Sequence, residues 1–189
     1  YKRQAIVDNK AIADANQACY LVDDVLETLQ ALAHHHRKQF NITVLALTGS
    51  NGKTTTKALI DVVLSTTHRV LATEGNLNNH IGVPLTLLRL TAAHSHAIIE
   101  MGANHLKEIA FLCEIAQPTC GLITNVGKAH LEGFGSEDGV LQGKTELYRY
   151  LEKKNGLVFV DEENAKLISA LGKNPVSYTH LTLPTNTTV

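Results

Sequence analysis

Short continuous apolar runs alternate along the chain with stretches whose apolar residues recur every three or four positions. The runs at 19–22, 43–47, 69–72, 97–101, 121–125 and 157–160 are short and partly β-branched, which predicts strands buried on both sides. Between them, helical spacing covers 54–65, 84–90, 105–116, about 140–153 and 163–171. A further helix runs through Val25, Leu29, Leu32 and His36, opened by Asp24 with Glu27 three positions on, a capping-box arrangement. Leu106, Ile109, Cys113 and Ala116 form one buried stripe, and Leu59, Val62 and Val63 are expected to face inward. Strand and helix in alternation predict an α/β fold, a mostly parallel sheet flanked by helices on both faces. No internal repeat or low-complexity linker interrupts the pattern.

Composition narrows the function classes. At 189 residues and 44% hydrophobic, the chain can bury one core. Seventeen basic against eighteen acidic side chains give a net charge of −1, so nothing draws the whole molecule to nucleic acid or an anionic membrane. Any phosphate binding must be local. No uncharged apolar run approaches the roughly 18 to 20 residues that span a bilayer, and no leader pattern opens the chain, so membrane insertion is not expected and a cytoplasmic location is. Cys19, Cys113 and Cys120 lack metal-ligand spacing and read as reduced thiols. His34, His35 and His36 are about 100° apart around a helix and cannot converge on one ion.

The chemistry concentrates in the loops that follow predicted strands. In Thr48-Gly49-Ser50-Asn51-Gly52-Lys53-Thr54-Thr55-Thr56, the glycines let backbone N–H groups turn toward a phosphate, and the next helix presents its positive end. Lys53 adds a point charge for the β and γ phosphates, and Thr54 a hydroxyl for Mg²⁺. The full Walker pattern has glycine five residues before Gly52; Leu47 stands there, so this is a variant whose first glycine is Gly49. Glu100 ends a buried run, at the strand edge where open α/β sheets bind ligands, and suits a second Mg²⁺. His130, in a glycine-punctuated loop, is expected at the same edge. Lys144 reads from chemistry alone as a surface lysine near Glu146. The asparagine-rich loop 74–84, ahead of a helix opened by Pro84, either binds polar substrate groups or closes its own turns.

Together, TGSNGKTTT, GNLNNHIGVPLTLLRL, EMGANHLKEIA and ITNVGKAHLEGFGS resemble the Mur ligases, over roughly residues 23–171. The phosphate loop is shared across that superfamily. The segments around 76–84, 102–105 and 130–135 resemble the branch that adds D-alanyl-D-alanine to UDP-N-acetylmuramoyl tripeptide. The resemblance implies a P-loop NTPase-like central domain and an ATP-dependent amide-bond synthesis in cytoplasmic peptidoglycan assembly, through an acyl phosphate. It implies two Mg²⁺ ions: one with the phosphates at Thr54, and one held by Glu100, His130 and Lys144, the last matching a lysine carbamylated by CO₂. It also places Asn125 at the nucleotide and Asn76 and Asn79 at the substrate, and implies a monomer.

The resemblance further divides the chain. Residues 1–22 read as the tail of an N-terminal UDP-sugar-binding domain and 23–175 as a truncated central ATP-binding domain. Residues 176–189, opening VSYTHLTLPT, read as sequencing-adapter translation rather than native protein. The only methionine is Met101, so an internal fragment, catalytically inactive by itself, is expected. Two alternatives remain: another ligase of the superfamily, of the folylpolyglutamate synthase kind, and a non-catalytic phosphate-loop module.

Overall fold

A computed structural model describes residues 4–127 and 131–171. The chain opens with β1 (Ala5–Val7), α1 (Lys10–Ala15) and β2 (Cys19–Leu21), then α2 (Val25–Arg37), β3 (Thr43–Thr48) and α3 (Lys53–Leu64). Next come β4 (Val70–Ala72), α4 (Gly82–Leu87), β5 (His96–Glu100), α5 (Glu108–Ala116) and β6 (Cys120–Ile123). The last elements are α6 (Leu131–Phe134), α7 (Glu137–Lys144), α8 (Glu146–Lys153), β7 (Leu157–Phe159) and α9 (Ala165–Ser169).

Five strands form one parallel sheet in the order β4-β5-β3-β6-β7, and β1 and β2 pair parallel to each other in a separate small sheet. The runs of β3 and β5 are explained by this arrangement, since both are buried over nearly their whole length. The run at 19–22, expected to be buried on both sides, instead pairs only with β1 and leaves Tyr20 and Leu21 exposed. From β3 the chain jumps over β5 to reach β4, returns to β5, then crosses β3 to β6. The strand order therefore reverses beside β3, and the loops after β3, β5 and β6 meet at one carboxyl edge.

The two faces are unevenly covered. Alternate strand residues Val44, Ala46, Ala97, Ile99, Ile123 and Val158 pack with helices α2, α4, α5, α8 and α9 in the main core. On the opposite face Leu45, Leu47, Ile98 and Cys120 form a smaller cluster with Ile60 and Leu64 of α3.

Two local expectations are corrected. Leu59, Val62 and Val63 are largely exposed, while Lys57 is buried and Ile60 and Leu64 pack inward. The phosphate loop sets the rotation of α3: Lys53 and Thr54 must face the carboxyl edge, and Lys57, Ile60 and Leu64 continue that side at helical spacing. The helix expected over about 140–153 is two helices that break at Thr145, whose hydroxyl donates back to the Leu141 and Gln142 carbonyls. The break leaves Lys144 in the last turn of one helix and Glu146 in the first turn of the next, each on the side that the helix dipole favours.

Candidate active site

The phosphate loop closes on itself and on the loop after β6. Gly49 (φ 148°) and Gly52 (φ 78°) take backbone conformations that side chains disfavour, and Gly52 is the N-cap of α3 without any side-chain cap. The first N–H groups of that helix are thus left for an anion. Ser50 N donates to the Asn125 carbonyl at 3.0 Å and Asn51 N to Asn125 Oδ1 at 3.0 Å, while Asn125 Nδ2 donates to the Asn51 carbonyl. Thr124 Oγ1 donates to the same Asn51 carbonyl at 2.6 Å, and Ser50 Oγ accepts from Gly127 N. Asn125, expected at the nucleotide, builds the loop's rear wall. Thr48 Oγ1 is buried at the loop's base without a hydrogen-bond partner. Thr55, in the first turn of α3, is exposed.

Lys53 Nζ donates to the Gly49 carbonyl at 2.7 Å and the Ser50 carbonyl at 3.3 Å, curling over the loop. Burial pushes its ammonium below the usual lysine range, and the Glu100 carboxylate pulls the other way. Thr54 Oγ1 donates to Glu100 Oε2 at 3.2 Å. Glu100 ends β5 beside Leu47, the register that brings it level with the loop. Two neighbours hold its oxygens further: Asn78 Nδ2 donates to Oε1 at 2.8 Å, and Lys57 Nζ lies 3.3 Å from Oε2.

The asparagine loop closes its own turns and reaches the carboxylate of Glu100. Asn79 closes its own turn, its Oδ1 accepting from Ile81 N and Gly82 N at the start of α4. Asn76 is exposed, and its carbonyl accepts from Asn78 N. Asn78, not singled out in the sequence, is the asparagine that reaches Glu100; its carbonyl also accepts from Gly102 N at 2.7 Å. Three asparagines within four positions offered no signal to separate the one that turns inward.

Lys144 is not a surface lysine; it is only 1% exposed. Its Nζ donates to the Ala103 carbonyl at 3.2 Å and stands over the Phe134 ring, 5.4 Å from the centroid. Its ammonium is pushed down to about 8, by burial first and then by the Lys53 charge, against the pull of Glu108 and Glu146. Lys53, Asn78, Gly102, Glu108, Phe111 and Lys144 line one cavity of about 360 Å³, so two lysines from distant elements point into the same space. His130 lies outside the described residues. Among the described residues no group of three or more His, Cys, Asp and Glu converges.

A strand-end glycine loop, a helix that begins on Lys-Thr and a carboxylate from the neighbouring strand also mark a known family. Residues 47–188 match the Mur ligase middle domain. The chain belongs to the Mur ligase middle-domain family. It is 48% identical over 151 residues to the UDP-N-acetylmuramoyl-tripeptide–D-alanyl-D-alanine ligase of Haemophilus influenzae, covering 78% of this chain and 33% of that protein. The ligase of the same name from Bacillus subtilis is 42% identical over 148 residues, 78% of this chain and 32% of its own length. The solved MurF ligase of Thermotoga maritima, in complex with ADP, superposes with a TM-score of 0.81 at 31% identity, over 95% of this chain and 40% of that one. This Mur ligase chain therefore spans about a third of the length of the curated relatives it matches.

Proposed function

We propose that the chain is the nucleotide-binding core of an ATP-dependent ligase that joins D-alanyl-D-alanine to UDP-N-acetylmuramoyl tripeptide through an acyl phosphate. The observation that carries this is that Lys53 and Lys144 line one cavity beside the reversal point of the sheet, where Thr54, next to Lys53, donates to Glu100. The names of the relatives supply the substrates, and the ADP complex of the Thermotoga protein supports ATP here. Residues 1–22 are assigned to the tail of the UDP-sugar-binding domain, 23–175 to the central domain and 176–189 to non-native sequence. A cytoplasmic, monomeric enzyme is part of this proposal; among the described residues no helix is long and apolar enough to cross a membrane.

Phosphoryl transfer asks the protein for position and charge. The free N–H groups at Gly52 and the first turn of α3 cradle the phosphates, and Lys53 exchanges its carbonyl partners for the β and γ oxygens. Thr54 and Glu100 offer oxygen donors 3.2 Å apart, a hard set that fits Mg²⁺. Bound there, Mg²⁺ supplies neutralisation of phosphate charge. Glu100 with His130 and a carbamylated Lys144 is the proposed second Mg²⁺ set. An ammonium lowered to about 8 leaves part of Lys144 as free amine near neutral pH, the form that adds CO₂ and gives up a proton. Asn76 and Asn79 stand on the loop that faces the substrate.

The test is phosphate release by the full-length gene product with ATP, UDP-N-acetylmuramoyl tripeptide and D-alanyl-D-alanine. Lys53→Ala and Glu100→Gln should each lower kcat by about 10² to 10³. Turnover unaffected by both changes, or release that ignores D-alanyl-D-alanine, defeats the assignment.

A further inference from the structure

Lys57 is the one buried residue of α3, and it has no part in the phosphate cradle. It lies one turn beyond Lys53 and Thr54, and its ammonium is 3.3 Å from Glu100 Oε2, with side chains 8% and 2% exposed. Nζ also donates to the Gly75 carbonyl at 3.3 Å, where the chain turns with φ 52° into the asparagine loop. The same carboxylate oxygen accepts from Thr54 Oγ1. A full positive charge therefore already sits at the donor pair that fits a divalent ion. A buried carboxylate stripped of its cation is strongly unfavourable.

We propose that Lys57 is a built-in counter-ion for Glu100: it holds the carboxylate and the asparagine loop in place before metal arrives, and it weakens divalent binding so that metal enters with nucleotide. Thr54 and Asn78, which also touch the carboxylate, are neutral, and Lys53 acts on it without contact, so Lys57 is the contacting cation that a divalent ion at Glu100 opposes directly. Two like charges on one carboxylate in a poorly solvated site repel far more than in water. Phosphate oxygens arriving with the nucleotide add the negative charge that lets both cations share the site. Lys57 does not line the cavity, and its ammonium is held by Glu100 and the Gly75 carbonyl, so it is a positioning residue that acts through Glu100. This inference rests on the proposed reading of Glu100 as a metal ligand.

The experiment compares the chain with Lys57→Met, which keeps the length of the side chain and removes its charge. Thermal unfolding is followed with and without Mn²⁺, in the absence of nucleotide, and Mn²⁺ affinity is titrated by electron paramagnetic resonance. The wild-type melting temperature should barely respond to Mn²⁺. The variant should melt lower without metal and recover with it, and should bind Mn²⁺ at least about tenfold more tightly. A variant folded only with Mn²⁺ present counts the same way. The double variant Lys57→Met, Glu100→Gln should melt without regard to Mn²⁺. Destabilisation that metal does not relieve, unchanged Mn²⁺ affinity, or rescue that survives in the double variant overturns the proposal. The two readings fail separately. If Mg²⁺-dependent ADP binding by the otherwise native chain ignores Glu100→Gln, the metal role of Glu100 falls. If it is sensitive and Lys57→Met still shows no metal rescue, only the role of Lys57 falls.

Discussion

Gly49 sits where the phosphate loop packs tightly against Thr124 and Asn125. Its φ of 148° is open to glycine, and a Cβ there would overlap Thr124 Oγ1 and press on the Asn125 backbone. Both neighbours are the ones that hold Asn51, so the strain would spread into the loop. Gly52, by contrast, has open space around it and asks only for its left-handed φ of 78°. Gly49→Ala should therefore cost about 2–3 kcal/mol in urea unfolding and abolish Mg²⁺-ADP binding. Gly52→Ala should cost only about 1 kcal/mol. Equal costs at the two positions would mean that backbone conformation, and not close approach, decides the loop. The loop and Glu100 were legible in the sequence because their chemistry is local: glycine spacing, Lys-Thr at a helix start, a carboxylate ending an apolar run. Asn78 and Lys57 were not, because what selects them is contact with Glu100 from 22 and 43 positions away, which no spacing rule encodes.

Helix α5 shows the same limit at the scale of an element. Its own side chains close neither end, and only the backbone N–H of the left-handed Gln117 turns back to the Cys113 carbonyl. At the start, Lys107 takes a left-handed conformation without a side-chain cap, and Glu146 of α8 accepts from Lys107 N at 2.6 Å and Ala110 N at 2.9 Å. At the end, Arg37 of α2 donates to the Ala116 carbonyl at 3.0 Å and the Gln117 carbonyl at 3.2 Å, and also to Phe40. These bonds satisfy the groups that a helix cannot pair internally, and each places a charge where the dipole favours it. Glu146→Ala should lower stability by about 1–2 kcal/mol, as loss of an N-cap does. Arg37→Ala should cost more, about 2–4 kcal/mol, since it also empties buried space and orphans buried carbonyls. Urea denaturation measures both, and an Arg37→Ala chain as stable as the parent would contradict this account. Of the stripe read from periodicity, Ile109, Cys113 and Ala116 are buried but Leu106 is 40% exposed, because the helix, expected from 105, starts only at Glu108. Periodicity reports the face a helix buries; it is blind to caps supplied from other elements and to a phase set by a neighbouring loop, as at α3.

Across the whole molecule, burial separates the chain into parts of very different cohesion. The five-stranded sheet and the helices on its main face share one core from Ala33 to Leu167. β1, α1 and β2 share in none of it: α1 has no buried residue, the two strands pair only with each other, and Ile6, Ile12, Tyr20 and Leu21 are exposed. A two-stranded sheet with one short helix is marginal in water, so this unit adds little to the cooperative unfolding of the rest. Removing residues 1–22 should therefore shift the melting temperature of the remaining chain by no more than about 2 °C. Amides of Ala5–Val7 and Cys19–Leu21 should exchange far faster than those of Thr43–Thr48 and His96–Glu100 in the intact chain. A drop above about 5 °C, or protection in β1 and β2 equal to that in β3 and β5, would show that the N-terminal unit is tied to the nucleotide-binding core. The boundary at residue 22 would then have to move into the first strands.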